Sequence, residues 1–178
     1  MAAVTVPPPV TVVAGKTVFT EDLWNNGPAA LAGWIGDPPR CVLQQTVAQS
    51  IPNNADTPVA FDQVVYDNHD GRSGDGTTWF APANGVYLVT ATSNLAWSGA
   101  PNAFVSNHIT VANQGTWAST EIPADPPPVR FQFNLGALIP LGAGGGIQLR
   151  IYQNSGAAKP TGFIATGCRL HARWIASL

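Results

Sequence analysis

From Gly85 the chain alternates side chains without a breaker. Tyr87, Val89, Ala91, Ser93, Leu95 and Trp97 fall on one side, and Val86, Leu88, Thr90, Thr92, Asn94 and Ala96 on the other. A period of two is that of a β-strand, and the lack of charge on either side predicts a strand covered on both faces. The last segment alternates more sharply: Cys168, Leu170, Ala172 and Trp174 oppose Arg169, His171, Arg173 and Ile175. Between these lie shorter runs, so that strands are predicted at 41–48, 58–66, 77–81, 85–97, 103–113, 115–122, 129–139, 146–154 and 162–176. The separators, among them "IPNNADTP", "DNHDGRSGDG", "APANG", "LGAGGG" and "NSGAAKPTG", are rich in turn-forming residues. This spacing predicts an all-β, antiparallel β-sandwich or barrel, and the lack of an internal repeat argues against a propeller or β-helix.

Residues 1–40 break the pattern. A proline-rich opening, "VTVPPPVTVV", precedes two short helical stretches, one capped by Thr20 and one opened by Pro28 and stopped by Asp37, Pro38 and Pro39. Neither is long enough to stand alone. Phe19, Leu23, Trp24, Leu31, Trp34 and Ile35 therefore need a covering surface, from the same chain or from a neighbour. The expected division is a collar or anchor over 1–40 and a head domain over 41–178.

Composition sharpens this. Charged residues make up only 10% of 178 residues, and glycine (18) and proline (16) are abundant, which disfavours long helices. A net charge of -2 without a basic run gives nucleic acid or an anionic membrane nothing to hold. No signal peptide or spanning segment is read in the sequence. Cys41 and Cys168 are too few for a disulfide scaffold, and the sequence leaves open whether they are buried thiols or one bridge.

Candidate chemistry is sparse. Asp67, Asp70 and Asp75 cluster in a glycine-rich loop that would suit calcium, but the spacing lacks a calcium-loop signature and favours a solvated turn. His69, His108 and His171 do not cluster, and Ser73, Ser98 and Ser155 sit beside glycines as turn residues do, outside any nucleophile elbow. No catalytic site, cofactor or metal is expected, and the chain is read as a non-enzyme. Trp79, Trp97 and Trp117, with Tyr66, could stack on a sugar ligand, although core or seam positions suit large aromatics better. If the face bearing Arg169, His171 and Arg173 were buried between subunits, it would need carboxylate or carbonyl partners.

The succession "VAFDQVVYDNHDG", "WFAPANGVYLVTA", "FVSNHITVANQG", "RFQFNLGALIPLGAGGGIQLRIYQNSG" and "ATGCRLHARWI" resembles the jelly roll shared by complement globular heads and tumour-necrosis-factor ligands. Phe80, Pro82, Gly85 and Tyr87 match that family's entry into its long third strand. The loop "GAGGG" departs from it by lacking an aspartate, and "Asn113-Gln114-Gly115" replaces an Asn-Gly turn. Some members of the complement group hold calcium near the top of the trimer. More narrowly, residues 24–63 are similar to the front of structural proteins from tailed bacteriophages, especially those of actinobacteria. That resemblance implies a homotrimer built into a virion, on the tail, baseplate or head, with other virion proteins as partners and a host-surface glycan or protein as a further candidate. The alternative it leaves is a free carbohydrate- or protein-binding module of the same fold.

Overall fold

The computed structural model of the protein describes residues 25, 28–96, 103–123, 130–162 and 167–178. Helix α1 (Pro28–Gly36) leads into β1 (Arg40–Gln44), β2 (Ser50–Ile51), β3 (Thr57–Pro58), β4 (Gln63–Asp67), β5 (Trp79–Phe80) and β6 (Gly85–Ala96). The chain continues through β7 (Phe104–Val111), β8 (Gly115–Pro123), β9 (Arg130–Leu141), β10 (Gly146–Gln153), β11 (Lys159–Pro160) and β12 (Arg169–Ala176). The pairing is antiparallel throughout. A front sheet runs β4-β1-β12-β6-β9, a back sheet runs β3-β10-β7-β8 with β5 also on β10, and β11 pairs β2.

The two sheets face one another as an antiparallel sandwich of the jelly-roll class, and the core lies between them. The front sheet contributes Leu43, Tyr87, Val89, Leu95, Ile139 and Leu170, and the back sheet Val105, Ile109, Ile147, Leu149 and Ile151, all buried. Strand alternation puts these residues inside and turns their neighbours out, as the period-two pattern requires.

At one end two turns lock together. The Ala143 amide donates to Asn84 Oδ1 at 2.7 Å, the Gly144 amide to the Ala81 carbonyl at 2.7 Å, and the Tyr87 hydroxyl to the Ala83 carbonyl at 2.8 Å. Burial pushes the Tyr87 phenol up to about 12. Gly144 takes a φ of +80°, which explains the glycine-rich sequence at that turn. Asn113 (φ +64°) makes the turn between β7 and β8, a conformation asparagine tolerates.

The expected strand over 58–66 changes, and the state of the cysteines, which the sequence left open, is resolved. Residues 58–66 do not form one strand: β3 belongs to the back sheet and β4 to the front, with the chain crossing between them. Over the crossing the backbone N–H of Val59 goes to Leu149, that of Ala60 to Gln49 Oε1 and that of Phe61 to Gly76, so no single ladder holds the run. The cysteines are not bridged, and both are free and buried. Cys41 pairs with Ala172 while Cys168 lies opposite Gln45, an offset of four residues or about 13 Å, twice what a disulfide spans. Burial raises both thiols, Cys168 to about 11, so neither is a reactive thiolate at neutral pH. The first strand, expected over 41–48, runs from Arg40 to Gln44.

Candidate functional site

The outward face of the front sheet reads directly from the strand register. One row across the sheet is Gln63, Gln44, Arg169, Thr92 and Asn134. The next is Tyr66, Val42, His171, Thr90 and Gly136, and the third is Arg40, Arg173, Leu88 and Leu138. Amides thus gather in the first row and leucines in the third, while β12 carries a basic group in every row and Arg40 adds a second in the third. No carboxylate stands in any of the three rows.

The leucine end is unusually bare. Leu88 is 43% exposed and its cross-strand neighbour Leu138 is 59% exposed. Paired apolar side chains on a sheet face mark a surface that another element covers. Val64 and Val65 of β4, the sheet's edge strand, are exposed as well, without the lysine or proline that usually blunts such an edge.

The basic centre is only partly satisfied. Arg40 binds the Tyr66 hydroxyl at 3.1 Å, lies 4.5 Å over the Tyr66 ring and pairs with Asp37 at 3.2 Å. Arg169 donates to Gln44 Oε1 at 3.0 Å, yet its Nε is buried with no acceptor. The Arg173 side chain makes no hydrogen bond or ion pair among the described residues. Between Arg40, Val42, Leu88, Thr90, His171 and Arg173 opens a cavity of about 240 Å³.

His171 sits in this setting with its pKa lowered, first by burial and then by the Arg169 charge. Above the ordinary value of 6.5 the ring is neutral whether the chain is folded or not. As pH falls through 6.5 the unfolded chain takes the proton first, so stability declines until the folded ring also titrates. His171→Gln is expected to remove that part of the decline, measured as the difference in urea midpoint between about pH 7 and about pH 5.

The other sequence candidates separate. Trp34 is buried against the head: its ring meets Trp174 edge-on at 5.6 Å and lies 6.5 Å from His69. Trp174 in turn donates its Nε1 to the Asn84 carbonyl and its amide to the Pro39 carbonyl. Trp34 therefore takes its cover from the same chain and ties the helix to the sandwich, whereas Ile35 points outward at 67% exposure. The Leu31 side chain and Phe19, Leu23 and Trp24 lie outside the described residues, as does Trp97.

Trp79 cannot stack on a sugar. It is wholly buried, edge-on to Tyr87 at 5.7 Å, with its Nε1 donating to Asp67 Oδ2 at 3.2 Å. A tryptophan between two sheets satisfies its N–H by such a contact, which is the physical reason it belongs to the core. Trp117, 39% exposed at an irregularity in the β7–β8 ladder, remains accessible.

In the aspartate loop, Asp67 accepts from the amides of His69 and Arg72 as well as from Trp79, and Asp75 accepts from Ser73 and Thr77. Asp70 stands apart at a φ of +52°. Asp67 and Asp75 each organise a turn, and these hydrogen bonds hold the Asp75 carboxyl below the usual carboxylate range. The described residues contain no group of three or more potential metal ligands. Ser73 and Ser155 also bond within turns, to Asp75 Oδ1 and to the Ala157 carbonyl. No helix among the described residues is long and apolar enough to cross a membrane.

Sequence reasoning found Arg169, His171 and Arg173 but missed Arg40, Leu88 and Leu138. The alternation from Gly85 already set Leu88 beside Thr90, but its pairing with Leu138 needed the register.

No family model matches the chain, and no curated protein matches it. Among solved structures the chain is similar to the globular domain of zebrafish complement 1qA protein. The TM-score is 0.57 at 12% identity, covering 79% of this chain and 99% of that one. At that identity the likeness establishes the fold, a complement-type jelly-roll sandwich, and nothing finer.

Proposed function

We propose that the chain is a non-enzymatic structural protein of a tailed-bacteriophage virion that works as a homotrimer, its sandwich presented as a head and residues 1–40 serving attachment. The observation that carries the oligomeric part is the outward face of the front sheet, where Leu88 and Leu138 lie bare beside arginines that have no carboxylate in their rows. Copies of the chain closing on this face would cover the leucines around a shared axis, over at least ~1,000 Å² per contact. The fold it shares with a complement globular domain supports a presenting or binding role over catalysis. The virion assignment rests on the sequence similarity of residues 24–63 to the front of phage structural proteins.

Light scattering and native mass measurement on the full chain test the assembly, a trimer at micromolar concentration being expected. A carboxylate in the centre of a covered apolar face acts as a hot-spot change, so Leu138→Asp should weaken assembly by about tenfold or more while the protomer stays folded. A stable monomer of the parent chain would sink the trimeric reading. Incorporation into particles, with and without residues 1–40, tests the virion role.

Exposure of Trp117 favours a second reading, a module that binds glycan or protein at the β7–β8 end. Glycan-array binding that is lost in Trp117→Ala would support it.

A further inference from the structure

We infer that the cavity among Arg40, His171 and Arg173 is a binding site for a small inorganic oxyanion of the phosphate or sulfate kind. Each chain carries the donors. Arg173 has no acceptor among the described residues, and Arg40 spends its contacts on Tyr66 and Asp37 at the rim, one N–H reaching each. One row away the buried Arg169 Nε also lacks a partner. The Thr90 side chain lines the cavity between them and brings a hydroxyl. A buried N–H without an acceptor, such as Arg169 Nε, is costly, whereas Arg40 and Arg173 stand exposed with guanidinium groups open to a ligand, and an oxyanion's paired oxygens match such a fork.

Size and surroundings agree. A cavity of about 240 Å³ has room for a tetrahedral anion with some waters, each water's share of liquid being about 30 Å³. Val42 and Leu88 form apolar walls beside these donors. The sheet supplies no competing carboxylate: the rows through this cavity hold Tyr66, Val42, His171, Thr90 and Gly136, then Arg40, Arg173, Leu88 and Leu138. Among the described residues the negative charge at the margin is that of Asp37, which is bound by Arg40 and Tyr66.

The site needs one chain only, so it stands apart from the trimeric reading. Where copies close over the face, the anion offsets the repulsion between their basic groups, and phosphate then favours the assembled form.

Calorimetric titration of the full chain with inorganic phosphate, at ionic strength matched with chloride, tests the proposal. Saturable binding is expected, weakened about tenfold in Arg173→Gln, the effect of losing a charge-assisted fork. Arg150→Gln carries the same charge change on the back sheet, where Arg150 pairs with Asp56, and should bind phosphate as the parent does. Arg173→Lys keeps the charge without the fork and should fall between, which preserves the test if the glutamine variant fails to fold. Absence of saturable binding, or an equal loss in Arg150→Gln, overturns the proposal. Light scattering on the same samples separates the two readings: a monomer that binds phosphate overturns the trimer and upholds the site. A trimer indifferent to phosphate overturns the site and indicates that acceptors from a neighbouring copy occupy the arginines.

Discussion

Trp79→Ala is expected to cost about 3–5 kcal/mol, a large part of the ~5–15 kcal/mol by which a domain of this kind is stable. Trp79 is among the largest side chains that are fully buried, and it touches both halves of the sandwich. Its ring packs edge-on against Tyr87 in the front sheet while its strand pairs Ile147 in the back sheet. Removing it leaves a cavity that the paired sheets cannot collapse into, and strips Asp67 of a donor. For a chain of this length the loss lowers the melting temperature by roughly 6–20 °C, measurable by calorimetry. Trp79→Phe keeps most of the volume and should cost clearly less. Equal melting temperatures for Trp79→Ala and the parent would refute the burial on which the core assignment rests.

Gly167→Ala should be comparably severe for a different reason. A Cβ at this position would run into the Gln45 carbonyl oxygen, and the residue has a φ of +53°. The conflict is with backbone, so it cannot be relieved by a rotamer change. The same junction holds the Gln45 amide on the Cys168 carbonyl at 2.8 Å and the Asn94 side chain on the Gly167 carbonyl at 2.9 Å. Strain and overpacking together are expected to cost about 2–6 kcal/mol. Gly144→Ala is the matched control: its φ is +80°, but the space around it is open, so only backbone strain of about 1 kcal/mol is added. Urea midpoints of the two variants should therefore differ widely, and similar midpoints would count against the close approach of the Gln45 and Gly167 backbones at this junction.

Much of this architecture is legible in the alternation of residues. The strand from Gly85 to Ala96 and the final strand show their two sides in sequence because one side faces the core along their whole length. The run from Pro58 to Tyr66 misleads because its apolar residues continue while its backbone changes partners, and hydropathy carries no record of where an N–H goes. Strands β2 and β11, of two residues each, are invisible for a related reason: they pair across more than a hundred residues inside segments whose composition is that of turns. Trp79 could not be assigned to core or surface while its partner across the sandwich was unknown. The basic centre of the site was half visible, since Arg169, His171 and Arg173 share one strand. Arg40 joins them only through the pairing of β1 with β12, which is a tertiary fact.

That pairing also bears on how the polypeptide comes into being. β1, early in the chain, has β4 on one side and β12 on the other. While a ribosome is still delivering the segments in between, β1 has at most β4 to pair with, a two-stranded ribbon too small to be stable alone, and the sheet is sealed only when β12 emerges. Such long-range closure makes acquisition of the native state slow and leaves the nascent ribbon open to capture by other chains, so yield during expression should depend on temperature and chaperone supply.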